Sequence, residues 1–378
     1  MKLCIVSTSY QQTSGYAKVV YNILAQLQKR EDVSLYHYSI QKHTGDAKIR
    51  PVLESVHVDD HTDFAIDGLQ EFCGKHSIDV VMIYNDIGVT LSYLQKWCPA
   101  RLWVYLDTVA HGIPPVLLKA LDEKAERIYV FNDYWASVYP FKQIHVLEHG
   151  VDSSIFKQLP YSDSVKLRER MKIPENAIVF LNANRNSRRK RLDLSISAFV
   201  QFCKMNSHID AYLLLMTSAQ GFYDIGSILS AEITKHKHDC SKKVFSIHTD
   251  KHIFTDQAMN EFYNMADVGL NTSTGEGYGL TALEHASVNK PQVLTHLQCY
   301  DTFLSSKEAV FVEPSGDREY YDRTDFSGGW HDTFSASKVA MAMEVAINLR
   351  PSYKAKSWEE VMENFITHET SSENTNLP

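Results

Sequence analysis

The sequence has no C-x-x-C pair, no apolar run long enough to cross a membrane and no excess of positive charge. Each absence excludes a class of protein. The six cysteines (Cys4, Cys73, Cys98, Cys203, Cys240, Cys299) are scattered over 378 residues. That pattern fits reduced thiols in a cytosolic compartment, not a disulfide scaffold. No stretch approaches the ~18 apolar residues of a membrane span, which leaves peripheral contact as the chain's route to a membrane. Met1 leads directly into Lys2 and the strand-like Leu3-Cys4-Ile5-Val6. No basic segment followed by an apolar run stands there, so no signal peptide is expected and the location is read as cytoplasmic. A formal net charge of -8 argues against nucleic acid, whose phosphates need a basic face. It leaves room for a local basic pocket that takes a small anion.

With 44% hydrophobic and 22% charged residues, the composition is that of a globular chain, and the length suits two domains. Short apolar runs recur, each followed by a turn and then a helical pattern. The first set is Leu3–Val6, Val33–Tyr36, Val80–Tyr84, Leu102–Tyr105, Ile128–Phe131 and His145–Leu147. The pattern restarts with Ile178–Leu181, Ala211–Met216, Val244–Ile247, Val268–Leu270, Val293-Leu294 and Val310–Val312. Near-continuous apolar runs of this length read as strands buried on both faces. Their alternation with helices predicts doubly wound parallel sheets. Asp152 to Ala177 is polar and contains Pro160 and Pro174, so the join falls there. The expected division is 1–155, 156–350 and 351–378. Asp317 to Ser335 reads as an exposed insertion, and Ser371–Pro378 as a disordered tail.

Three segments carry chemistry. Thr274 to Glu284, TGEGYGLTALE, follows the strand-like Val268–Asn271 and opens a helical stretch from Leu280 to Val288. A loop at a helix start gathers free N–H groups and the positive end of the helix dipole. Gly277 and Gly279 let a phosphate approach the backbone. Glu276 lies in the loop and Glu284 further along the helix. A solvated glycine turn is the plain alternative. A dinucleotide fingerprint fits less well, because the spacing is G-x-G-x-G and lies late in the chain.

The second segment, Asn182 to Arg191, places Arg188-Arg189-Lys190-Arg191 after the first strand of the second set. It is read as a diphosphate clamp, with Arg185 giving forked hydrogen bonds and Lys190 a point charge. A nuclear signal, a nucleic-acid patch and a solvated loop are the competing readings. The third segment is Thr13 to Val20, where Gly15 sits at a strand-to-helix turn, either against a phosphate or sugar or for packing. His236-Lys237-His238-Asp239-Cys240 invites a metal reading, but its lysine-rich surroundings suit an exposed helix end and no second ligand cluster lies nearby; no metal site is assigned.

Taken together these segments resemble the retaining nucleotide-sugar glycosyltransferases of the GT-B fold, specifically family 4. That family's E-x7-E motif is similar to Glu276-Gly277-Tyr278-Gly279 followed by Glu284, its R-x4-K pair to Arg185 and Lys190, and its interdomain NGVD segment to His149-Gly150-Val151-Asp152. Asn264–Val268 matches a helix ending in an A-D pair, and Ser357–Val361 resembles the family's last helix. The resemblance spans almost the whole chain. It implies two tandem Rossmann-like α/β domains facing a central cleft, with a last helix that crosses back to the first domain. It implies that Glu284 holds the donor ribose and Glu276 the hydroxyls of the transferred sugar, as a positioner and not as a covalent nucleophile. Arg185 and Lys190 would neutralise the diphosphate, and Gly15 with the amides of Tyr278, Gly279 and Leu280 would line the phosphates and sugar. His248 stands where the family's base-binding loop begins.

No D-x-D pair occurs, which fits a metal-independent transfer requiring no cofactor beyond the nucleotide-diphosphate sugar. GDP-mannose is the first expectation for the donor and a UDP-sugar such as UDP-glucose the second. The expected acceptor is a glycan, a lipid-linked sugar or a small hydroxyl compound. One departure concerns the family's first-domain HD pair, which here reads Leu106-Asp107. His111 could fill the histidine's role or could be a plain loop residue, and Asp107 could meet a sugar hydroxyl. That departure keeps open a nucleotide-sugar binding protein without turnover. An epimerase on the same fold is a further alternative. A phosphorylase fits less well, since it would need pyridoxal phosphate on a lysine and a longer chain.

Overall fold

The apolar runs form strands wherever they lie between helices that can cover both faces. A computed structural model describes residues 1–42, 49–97, 100–109, 113–249, 253–322, 329–363 and 365. These residues divide into two compact units, one of Met1–Thr108, Ile113–Gly150 and the segment from Lys356, the other chiefly Val151–Ala355.

The first unit contains β1 (Lys2–Thr8), β2 (Ser34–Ile40), β3 (Val56–Asp60), β4 (Val80–Asp86), β5 (Arg101–Asp107), β6 (Arg127–Val130) and β7 (Ile144–Val146). They make a seven-stranded sheet in the order β3-β2-β1-β4-β5-β6-β7, parallel throughout. The residues of β1 from Leu3 to Val6 are all within 1% of full burial, as a strand covered on both faces requires. β3 was not visible as an apolar run because Val56–Asp60 reads VHVDD and lies at the sheet edge. The segment after Lys356 packs within this same unit. Trp358 and Phe365 are buried; Phe365 meets the rings of Trp103 and Tyr129. A Cβ on Gly150 would stand 2.5 Å from the Trp358 nitrogen, so only glycine admits that approach.

The second unit contains β8 (Ile178–Asn182), β9 (Ala211–Thr217), β10 (Val244–His248), β11 (Val268–Asn271), β12 (Gln292–Thr295) and β13 (Ala309–Val312). Their order is β10-β9-β8-β11-β12-β13, again parallel throughout. One face is covered by the helices Leu192–Met205 and Ala336–Ala346, through Phe199, Phe202, Val339 and Met343 against Leu213, Leu215 and Val268. The other carries the helix Leu280–Ser287, whose Ala282 and Ala286 pack with Leu294 and Tyr300. Both sheets have the 3-2-1-4-5-6 order of a doubly wound nucleotide-binding fold.

The expected exposed insertion at Asp317 to Ser335 needs correction. It contains an antiparallel pair, β14 (Arg318–Tyr321) and β15 (Gly329–Asp332). Tyr321 and His331 on one face are 1% and 2% exposed, while Tyr320 and Trp330 on the other are 51% and 53% exposed. The alternation that buries one face was hidden by the polar composition of the segment. The tail from Ser371 lies outside the described residues.

Candidate active site

In the second sheet the strand order reverses between β8 and β11. The crevice beyond the carboxyl ends at such a reversal is where open α/β sheets hold ligands. The basic loop leaves β8 and the glycine loop leaves β11, so the fold delivers both to that point.

A short helical turn, Arg188–Lys190, ends on Arg191 in the left-handed region with φ 47°. The turn and Arg191 after it send four basic side chains to three carboxylates. Lys190 is buried and pairs through Nζ with Oε1 of Glu276. Arg189 donates from Nη1 to Oε2 of the same carboxylate at 3.1 Å and to the Gly275 carbonyl. Arg191 binds Asp193 at 2.8 Å. Arg188 pairs with Glu319 of the hairpin and lies 4.2 Å over the Tyr321 ring. Asn271 donates to Glu276 at 3.4 Å. Burial alone would raise the Glu276 carboxyl, but the Lys190 ammonium and the Arg189 guanidinium override it and hold it well below the usual carboxylate range. Burial lowers Lys190 to about 8, with Arg189 and Arg185 acting in the same direction against the pull of Glu276. At neutral pH the pair is therefore ionised on both sides.

The polar framework behind the pair is closed. Asn184 donates to Asn182 at 2.7 Å, Asn182 to Ser195 at 2.9 Å, and Ser195 meets the Thr272 hydroxyl at 2.7 Å. Thr272 in turn donates to the Arg191 carbonyl at 2.8 Å. Such chains fix rotamers that isolated pairs would leave free.

The glycine loop ends at Gly279, with φ 99° and no room for a side chain: a Cβ would lie 2.5 Å from the Tyr300 ring. The adjacent Tyr278 is buried and stacks on Phe303, centroids 5.0 Å apart. Gly277 lies in the loop, Gly279 caps the helix and Leu280 is its first residue. Glu284, one turn further along, is buried and accepts from the Tyr263 hydroxyl at 3.1 Å. Tyr263 stacks on His285 at 4.9 Å, and burial lowers His285 to about 3, so that ring is neutral.

The structure brings Lys190 onto Glu276, beside the loop of Gly277, Tyr278, Gly279 and Leu280, and places Glu284 one turn along the helix that this loop opens. Arg185 is exposed on the same loop and acts on Lys190 electrostatically. His248 ends β10, with a buried Nδ1 that meets no partner among the described residues. Gly15 starts the helix Gly15–Leu27 of the first unit, capped by Ser14. His111 lies outside the described residues. Sequence reading missed Arg189, Tyr263, Tyr321 and His331. Arg189 stood in a basic run with nothing to single it out, and the others stood in segments that carry no motif. Among the described residues no group of three His, Cys, Asp or Glu side chains converges as for a metal, and no helix is long and apolar enough to cross a membrane.

No family model matches the chain, and no curated relative matches it. Solved structures do. The sucrose-phosphate synthase of Thermosynechococcus elongatus superposes with a TM-score of 0.68 at 11% identity, covering 98% of this chain and 100% of that one. The E. coli trehalose-6-phosphate protein bound with UDP-2-fluoro glucose gives 0.66 at 13%, covering 100% of each. The UDP-forming α,α-trehalose-phosphate synthase of Burkholderia xenovorans, in complex with glucose-6-phosphate, gives 0.68 at 11%, covering 97% and 99%. The fold is GT-B. Its two Rossmann-like parallel-sheet domains are those expected from the sequence. At 11–13% identity these likenesses show the fold and do not reach membership of family 4 within it.

Proposed function

We propose that this chain is a retaining glycosyltransferase that moves a hexose from a nucleotide-diphosphate sugar to a hydroxyl acceptor, with no metal required. The observation that carries the reading is the buried Glu276 carboxylate held between Lys190 and Arg189 where the strand order reverses. Breaking an anomeric C–O bond leaves a nucleoside diphosphate with growing negative charge. Lys190, with Arg185 on the same loop, would stabilise that charge, and so would the amides of Tyr278, Gly279 and Leu280 at the helix start. Because these groups are fixed beforehand, they need no reorganisation as the charge develops. Glu276, kept ionised by its cations, would accept from hydroxyls of the transferred sugar. Glu284, already accepting from Tyr263, would take the ribose hydroxyls on its remaining lone pairs. His248 is assigned to the nucleobase.

The donor proposed first is a UDP-hexose. Two of the matched structures are described with UDP-2-fluoro glucose or as UDP-forming, and GDP-mannose, the first expectation from the sequence, finds no counterpart there. One of them is described with glucose-6-phosphate, which makes sugar phosphates the acceptors to try beside free sugars and glycans.

The test is a thermal-shift panel with UDP, GDP and ADP and their glucose and mannose conjugates, with and without EDTA, followed by NMR of the anomeric proton in any product. A ligand at ~100 times its Kd adds ~2.7 kcal/mol to stability. A UDP-selective shift that EDTA leaves alone, with transfer at retained configuration, is the expected result. No shift with any nucleotide would overturn the reading, and epimerised UDP-sugar without acceptor would replace it by an epimerase.

A further inference from the structure

We infer that Arg189 is a positioning residue of the transfer site, one that ties the basic loop to the glycine loop and sets the Glu276 carboxylate; the inference rests on the transferase reading above. Its backbone and its side chain act on the same segment. The Arg189 carbonyl accepts from the Thr274 amide at 2.8 Å, from the Ser273 hydroxyl at 3.2 Å and from the Thr274 hydroxyl at 3.3 Å. The Arg189 guanidinium reaches forward to the Gly275 carbonyl and to Oε2 of Glu276. Consecutive residues 273 to 276 are thereby held from a single side chain and its own peptide.

This role differs from that of Lys190. Lys190 binds Oε1 as a point charge and directs only that oxygen. Arg189 presents a planar fork, and with it bound to Oε2 both carboxylate oxygens are directed. Oε1 already accepts from Lys190 and Asn271, while Oε2 keeps a lone pair for a sugar hydroxyl. The guanidinium side chain is only 13% exposed, so solvent screens this contact little.

Arg189 also sets the charge balance. The groups that face Lys190 and Glu276 are Arg189 and Arg185 on the basic loop and, on the turn Gln298–Thr302, Cys299 and Tyr300. Burial raises both the Cys299 thiol and the Tyr300 phenol, so neither carries charge at neutral pH. Removing Arg189 therefore leaves Arg185 as the one cation of the basic loop acting against Lys190, and Lys190 gains affinity for its proton.

The experiment compares the wild-type chain with R189K and R189Q in donor turnover, in UDP binding by calorimetry and in the pH dependence of kcat/KM. R189Q is expected to lose about 10- to 100-fold in kcat, the scale of one or two charged hydrogen bonds. Its KM for donor should change only a few-fold, its alkaline limb should move to higher pH, and R189K should recover part of the loss. NMR titration of the Lys190 Nζ protons in the unliganded protein reads the same shift without any donor. A fully active R189Q overturns the inference, and so does a loss of activity with the alkaline limb and the Lys190 titration unmoved. A wild-type chain that neither binds UDP nor turns over a donor overturns the transferase reading instead, and that outcome is distinct because it appears before any variant is made.

Discussion

Lys190 and Glu276 stand 86 positions apart in the chain and meet as a buried ion pair at the reversal of strand order. A buried pair of this kind is seldom a source of net stability, because taking two charges out of water costs about as much as their attraction returns. What the pair does is hold the Glu276 carboxyl well below the usual carboxylate range, against the rise that burial alone would give it.

Glu276→Gln removes the anion and leaves Lys190 and Arg189 facing one another. Breaking a buried pair costs about 3–5 kcal/mol, which a urea melt would show as a lower midpoint. Transfer should fall at least about 100-fold while UDP binds as well as or more tightly than before, since the uncompensated cations favour a diphosphate. A Glu276→Gln chain with wild-type transfer would remove the carboxylate from the reaction.

Glu284→Ala strips the Tyr263 hydroxyl of its acceptor and, on the proposed reading, the donor ribose of its carboxylate. Truncating one partner of a buried charged hydrogen bond costs about 2–5 kcal/mol. Calorimetry with UDP and with uridine should therefore show a loss of at least about 30-fold. Equal affinity for UDP in the variant and the wild type would refute the ribose assignment.

The activity should fall on the alkaline side. Lys190 titrates near 8 in the folded protein, so kcat/KM, which reports the free enzyme, should decline as pH rises through that value. With the diphosphate bound, added negative charge favours the ammonium, and the limb in kcat should lie higher. For stability the sign is opposite. Between about 8 and the unfolded value near ~10.4 the unfolded chain holds a proton that the folded one lacks, so folding stability contributed by this group rises with pH there. A pH profile flat from 7 to 9.5 would exclude Lys190 as the titrating group.

His331→Ala tests the hairpin. The His331 ring stacks on Tyr321 at 4.2 Å, and its Nδ1–H donates to the Thr274 carbonyl at 2.9 Å. Losing both the ring and the bond should destabilise the second unit by about 2 kcal/mol and lower transfer by loosening the glycine loop. A variant with unchanged melting and unchanged kcat would show that the hairpin merely decorates the surface.

Gly279→Ala tests the helix start. The left-handed φ and the 2.5 Å approach to Tyr300 oppose any side chain there. A loss of about 1–2 kcal/mol or more and a weakened affinity for UDP are expected together, because the strain falls on the amides proposed to hold the diphosphate.

The sequence by itself determined most of the strands and the two-sheet plan, β3 and the β14–β15 hairpin excepted, because strand burial and helix periodicity are local properties. Ile178–Leu181 and Val268–Leu270 read as strands covered on both faces, and the glycines before Leu280 as the turn that starts a helix, and the structure has them so. The same locality made Glu276, Lys190 and Glu284 legible as a motif. What the tertiary structure decided is which groups meet. Four basic residues in a row are equivalent in sequence; the turn ending on Arg191 and the placing of β11 beside β8 send Arg189 and Lys190 to Glu276, Arg188 to the hairpin and Arg191 to Asp193. Tyr263 meets Glu284 and His331 meets Thr274 across 21 and 57 positions. No local pattern encodes those meetings, since they depend on strand order and on which helix covers which face.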